Sequence, residues 1–531
     1  MSPAHDLTTQ GKGELSFAQG FWQSPWLWAA LVLGSLVPFL VTTVLPFNDL
    51  PNHVGRHYVF LNAASDPFLQ QYYSVHWSII GNLGIDLPVR LIGPWLGADL
   101  ATHVVVATIP PLTILGIYAL SRAINGSVTP GALLATLLAF NWPLITGFAN
   151  FCLSAAIALL VLASWIRFRT WHFVWRFCVF TPLVFLTWLA HTAGWGLLGL
   201  GIAAYELARA TEDGLDLKRL LGIPFQLLTF LPTFLFVVLW RQHAANGAAI
   251  QVGHDFLKGK AIALASLFRE QIAAWDLVTT VAFFGLVAML YWRGGRKLVR
   301  PAALIAAVYS VAFLLCPQEV FKSGFADRRL LTYAALMLPL GIGLAPEVMR
   351  DSVRRRAISL VAMACVGLFA ARVGVSSVLW HRASELHESR LALIDRVPLH
   401  SRILGLVVES CGQSWNRLGR PDHIQQYALT RRASMINGMY QNPGLNQVTE
   451  LFAEPTAQFD PGMYAMVHDQ RCPLSYVKQT LQSAMKEFPR DRFDYVWLIG
   501  EDPLQAYDTR GVELIGTREN DRLYRVVPTA N

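Results

Sequence analysis

The sequence predicts an α-helical polytopic membrane protein of about eleven transmembrane helices, followed by a soluble α/β domain at its C-terminal end. Three observations predict it. Over 531 residues the chain is 54% hydrophobic and 15% charged, where soluble domains carry about 25% charged residues. Apolar runs long enough to cross a bilayer recur from residue 25 to residue 380. From about residue 385 charged residues return, with turn clusters at Gly419-Arg420-Pro421, Asn442-Pro443-Gly444 and Asp460-Pro461-Gly462. The net charge of +8 sits mainly in short loops between apolar runs. It is therefore a topology signal, and no nucleic-acid-binding face is expected.

Residues 1–24 form a polar segment expected in the cytoplasm. The run Pro25 to Phe47 is uncharged, longer than the apolar part of a signal peptide and not followed by a small-residue cleavage site, so it is expected to remain as helix one. Ten further runs lie near 100–121, 128–145, 148–166, 174–190, 193–208, 220–240, 275–292, 301–316, 330–346 and 357–380. With the N-terminus inside, the inner loops carry fifteen Lys and Arg residues and the short outer loops three, Lys322, Arg328 and Arg329. The positive-inside rule then fixes the orientation in a bacterial inner (cytoplasmic) membrane. The bundle spans 25–380, including a first outer loop, 48–99, whose aromatic and aliphatic residues predict interfacial helices against it.

An odd helix count places residues 381–531 outside, in the periplasm. Strand-like runs at Ile403 to Val408, Tyr495 to Ile499, Val512 to Ile515 and Leu523 to Val527, with a helical pattern near 474–487, predict a small α/β domain. Cys411 and Cys472 lie in it, and an oxidising compartment would allow them to pair. No cysteine or histidine spacing marks a structural zinc site, and no internal repeat is visible.

The suggestive polar residues collect at the outer side. After helix one comes Asn48-Asp49-Leu50-Pro51-Asn52-His53-Val54-Gly55-Arg56-His57, in which Asp49, His53 and Arg56 share a face if Pro51 opens a helix. A carboxylate held there beside a base suits general-base work or, with His53, a divalent metal. The structural alternative is that Asp49 caps the helix. Asp86, before Pro88, could join the same site or form a turn. The run Phe325-Ala326-Asp327-Arg328-Arg329 opens helix ten, where two guanidinium groups suit a phosphate and Asp327 could instead pair with an arginine. Arg372 lies within helix eleven, as a phosphate ligand or a snorkelling side chain. His191, between helices five and six, is a site candidate or a packing residue, and Asn141 and Asn150 frame the turn between helices three and four. In the soluble domain His423, Gln425, Gln426, Tyr427, Arg431 and Arg432 offer contacts to a glycan, or a solvated face.

The arrangement of these residues resembles the GT-C superfamily of membrane glycosyltransferases. Asp49-x-Pro51-x-His53-x-x-Arg56 looks like the acidic first-loop motif of bacterial GT-C-like proteins, and Asp327-Arg328 adds a weaker match. The acidic pair of protein mannosyltransferases and lipid A aminoarabinose transferases is absent, since Leu50 follows Asp49. The Trp-Trp-Asp signature of oligosaccharyltransferases is also absent, so protein glycosylation is not expected. The resemblance implies transfer of a sugar from a polyprenyl-phosphate donor to an extracytoplasmic glycan or lipid acceptor. Asp49 would be the base, oriented by His53, and Arg328, Arg329 or Arg372 would meet the donor phosphate. The membrane lipid is the other partner implied. The alternatives are a transporter or flippase of lipid-linked glycans, for which no paired halves are visible, and a non-catalytic scaffold of envelope polysaccharide assembly.

Overall fold

The structure, a computed structural model, describes residues 20–214, 216–243, 256–320, 324–409, 415, 418, 420–439, 447–451, 466–468, 480–500 and 507–527. Cys411, Cys472, Lys322 and the turns at 442–444 and 460–462 lie outside the described residues.

The chain is a multi-pass membrane protein. Among the described residues six helices are long and apolar enough to cross a membrane, Asp86–Asn125, Ala149–Arg167, Phe173–Ala190, Leu217–Val238, Ala273–Arg293 and Ser352–Ile394. Shorter apolar helices occupy Pro25–Leu40, Pro130–Thr146 and Arg300–Leu315. All eleven expected runs fall on helical segments, but several are not single helices.

The first run is helical only over Pro25–Gly34 and Val37–Leu40. β-branched Val41, Thr42, Thr43 and Val44, followed by Pro46, cannot sustain the helix. The amides of Thr43 and Val44 donate to Ser384 Oγ at 3.2 and 2.9 Å. The third run breaks into Pro130–Ala135, Thr136–Ala139 and Trp142–Thr146. Every residue of it is buried, as expected of a segment apolar on all sides.

The first outer loop ends earlier than its composition suggests. Leu50–Asn62 and Pro67–Tyr72 are helices against the bundle, but a long helix already begins at Asp86 and runs to Ala107 through a kink at Gly97 (φ 77°). Pro94 and Gly97 give this stretch its loop-like composition.

The last bundle helix, Ser352–Ile394, has 43 residues, about 65 Å at 1.5 Å per residue and twice the hydrocarbon thickness. Its far end is buried against the soluble domain through Ala383, His387, Leu391, Leu393 and Ile394. A rigid rod, not a linker, therefore joins the two parts.

Among the described residues the soluble domain holds a six-stranded sheet. Arg402–Glu409 runs parallel to Tyr495–Ile499, Met435–Ile436 and Met466–His468, and Asp521–Val526 pairs antiparallel with both Tyr495–Ile499 and Val512–Arg518. Strand periodicity sorts its side chains. Leu404, Leu406, Val408, Val496 and Leu498 pack with the helix Leu481–Glu487 in one core, while Ile403, Val407, Trp497 and Ile499 join the core of the bundle. The sheet is thus covered on both faces, which parallel strands require.

Candidate functional site

Asp49 precedes Leu50–Asn62, whose Pro51 is set for a first helical turn. It holds the capping position, but its side chain makes no capping hydrogen bond. Its backbone is fixed from the bundle: Asp49 N donates to Thr146 O at 3.0 Å, and a Cβ on Gly147 (φ +92°) would lie 2.7 Å from Asp49 N. Only glycine combines that φ with that approach.

Asp49, His53, Arg56 and His57 follow at helical spacing and share one face. Arg56 Nη2 lies 2.8 Å from His53 Nδ1 and 3.3 Å from Asp86 Oδ1, and His57 Nε2 lies 3.7 Å from the same oxygen. Asp86 is thus part of this cluster and not a turn residue. Its other oxygen accepts from Asn150 Nδ2 at 3.0 Å, while Asn150 Oδ1 accepts from Ile85 N at 2.6 Å. Burial, with Arg56, holds half-buried His53 well below the usual imidazole range, and burial lowers His57.

Asn141 caps Trp142–Thr146 by accepting from Leu144 N, and from there the segment to Phe151 joins the site together. Gly147 abuts Asp49 and Asn150 holds Asp86. Phe148 and Phe151 lie under Arg329, 4.5 and 5.3 Å from ring centre to guanidinium, and Trp142 lies 4.7 Å from Arg328. Phe325, the cap of Ala326–Leu340 with φ +55°, faces Arg328 at 5.0 Å. Asp327 pairs with Lys260 at 2.8 Å, and Lys260 also donates to Cys316 O at 2.6 Å. His191 Nδ1 accepts from Ala193 N at 3.0 Å as a helix cap, and its Nε2 is 3.5 Å from Arg329. Burial and Arg329 hold this imidazole well below its usual range.

Arg372 is elsewhere. It is 1% exposed and lies 3.7 Å from Glu270 and 3.8 Å from Asp276, donating to Phe268 O at 2.9 Å. Trp380 Nε1 and Ser376 Oγ donate to Glu270, and Trp415 Nε1 to Asp276. Its charge is met by two carboxylates, so neither snorkelling nor a phosphate ligand describes it.

The soluble domain closes over the first loop. Tyr73–Val75 pairs antiparallel with Val448–Glu450, Asn48 Nδ2 donates to Asp422 Oδ2 at 2.8 Å, and a Cβ on Gly55 would lie 3.0 Å from Gln426 Cβ. His423 acts electrostatically on His53. His423, Gln425, Gln426 and Tyr427 are buried in this seam, and Arg431 and Arg432 bind Glu388 and Asp395 at the end of the rod helix. The stretch is an internal interface instead of a glycan-facing or solvated surface.

Sequence reasoning did not single out His57, Lys260, Glu270 or Asp276. His57 had a signal, four residues after His53 on the same face, and Arg372 itself called for a counter-ion.

No family model and no curated protein matches the sequence. Solved structures do match. The crystal structure of ArnT from Cupriavidus metallidurans bound to undecaprenyl phosphate is similar with a TM-score of 0.50 and 13% identity, over 94% of this chain and 97% of that chain. Its apo structure gives 0.49 and 13% over the same shares. The match runs through bundle and soluble domain together, and the chain has a GT-C-like fold.

Proposed function

We propose that this chain is a glycosyltransferase that moves a sugar from a polyprenyl-phosphate donor to a glycan or lipid acceptor on the outer side of the bacterial inner membrane. In this reading the soluble domain is periplasmic, and the chain crosses the membrane about eleven times. Asp49 takes the proton of the attacking hydroxyl, and half-buried His53, one turn on, orients it. Arg328 and Arg329, on aromatic faces near the start of their helix, meet the charge growing on the departing phosphate. Arg372 has no part in it, because its partners are internal.

One observation carries the proposal. The turn around Gly147 and Phe148 touches Asp49 with one residue and Arg329 with the next, so the base and the phosphate-binding groups border one site. The GT-C-like fold supports it, and a polyprenyl phosphate is the lipid in the similar crystal structure.

The test is sugar transfer in nanodiscs from a panel of radiolabelled polyprenyl-phosphate sugars to an envelope-lipid extract, wild type beside Asp49→Asn. Transfer by wild type that vanishes in the variant, at unchanged thermal stability, is the expected result. Wild type that neither binds nor turns over any donor would overturn it in favour of a scaffold or transport role.

A further inference from the structure

His191 stands between the helices Phe173–Ala190 and Thr192–Ala210, and its position is fixed from several sides. Ser154 Oγ, shared between Thr187 O at 2.7 Å and His191 O at 3.1 Å, anchors its backbone. Its ring meets Phe151 edge-on at 5.8 Å, and the Arg329 guanidinium lies 5.3 Å from the centre of the same phenyl ring. One aromatic side chain thus brings imidazole and guanidinium together.

The hydrogens on the two groups can be placed. His191 Nδ1 accepts from Ala193 N at 3.0 Å, so in the neutral ring the hydrogen is on Nε2. Burial and Arg329 favour that neutral ring. Nε2 lies 3.5 Å from Arg329 Nη1, and a guanidinium nitrogen offers only hydrogens. Two N–H donors therefore face each other, and neither can satisfy the other. Protonating His191 would not help, since it would set a second positive charge beside the first. The gap between them calls for an acceptor, and for one that carries negative charge.

Asp327 does not supply it. Although it lies two residues from Arg329, its Oδ2 is held by Lys260 Nζ at 2.8 Å and its Oδ1 accepts from Arg328 N at 2.9 Å. Lys260 is 4% exposed and is itself tied at 2.6 Å to Cys316 O, so the carboxylate is held in place. His191 is half-buried and can be reached from outside. Arg329 lies in the first turn of Ala326–Leu340, where the helix end also favours an anion.

We propose that His191 Nε2–H and the Arg329 guanidinium share one oxygen of the polyprenyl phosphate, so that His191 is a headgroup ligand as well as a helix cap. The lipid in this assignment rests on the transferase reading, but the test needs no sugar transfer. Full-length protein in nanodiscs is titrated with farnesyl phosphate and with farnesol, each corrected for partition into empty discs. The ratio of the two affinities isolates the headgroup, and wild type prefers the phosphate. His191→Asn keeps an oxygen to cap the helix and ends short of Nε2. It melts as wild type does and loses ~10- to 100-fold of the preference, the range for a hydrogen bond to a charged group. His191→Gln places an amide N–H near Nε2 and gives up the cap, so it melts lower yet keeps more of the preference than His191→Asn. Full preference in His191→Asn, the opposite order of the two variants, or a wild type without preference overturns the role and leaves His191 as a cap. Inorganic phosphate that binds as tightly as farnesyl phosphate overturns the lipid as the source of the anion. Lost preference in His191→Asn, in a protein whose wild type transfers no sugar, upholds this ligand while the transferase reading fails.

Discussion

Two groups of buried charge border the segment from Phe140 to Phe151, and they are built to opposite ends. At one end Arg372, Glu270 and Asp276 are at most 1% exposed, and two tryptophans and a serine donate hydrogen bonds to the carboxylates. At the other end Asp49, His53, His191 and Arg328 are only half-buried, and the arginines rest on aromatic faces. The first group is shut away from solvent, and the second is partly open to it. Intramembrane charge is commonly a mark of function, but here the distinction lies in whether anything from outside can reach it.

The largest expected effect comes from the open group. Asp49→Asn lowers transfer by ~10²- to 10⁴-fold, the range for loss of a general base, with the melting temperature in detergent unchanged. The closed group answers in stability instead. Arg372→Met leaves two buried carboxylates without their counter-ion and costs about 3–5 kcal/mol. Adding Glu270→Gln and Asp276→Asn recovers part of that loss, and thermal unfolding of the single and triple variants reads both. A triple variant no more stable than the single one would mean that the cluster is not the closed unit described.

Gly147→Ala tests the joint between the groups. It places a Cβ 2.7 Å from Asp49 N at φ +92°, a strain of about 1–3 kcal/mol. Transfer should fall by more than the change in melting accounts for, because the displaced residue is the base.

The smallest effect belongs to a third carboxylate of intermediate kind. Asp521 is 1% exposed, 3.5 Å from Arg390, and accepts from Gly500 N with one oxygen, while the other has no hydrogen-bond partner among the described residues. Burial pushes it up to about 6. A carboxyl raised in the folded state favours folding while protonated, so its contribution is complete below about pH 4 and is lost as pH rises through about 6. Asp521→Asn should flatten the melting temperature over that interval, an effect on the order of 1–3 kcal/mol.

How much could be read in advance follows from the range of the interactions. Tyr495–Ile499 was legible to the residue because a short continuous run of aromatic and aliphatic residues is a local pattern, and the long helices were legible as apolar runs. The break after Leu40 was not, because the amides of Thr43 and Val44 are satisfied by Ser384, some 340 residues away. Asp49, His53, Arg56 and Asp86 were visible as polar residues beside an apolar helix. Their grouping depends on Asn150, which lies on another helix and carries no charge to draw attention. Arg372 was visible as an anomaly, but Glu270 and Asp276, which explain it, lie about a hundred residues earlier, one in a stretch that looked like loop and the other at the start of the next expected helix.

The strand Tyr73–Val75 finds its partner only at Val448–Glu450, and Ser78 is clasped by Gln447, 369 residues downstream. During synthesis the first outer loop therefore waits for 369 further residues with its edge unpaired and Asp49 not yet enclosed. The later segment completes what the earlier one begins, so a chain terminated between them can hold most of the bundle and still lack the finished loop. Synthesis itself acts as a timer on assembly.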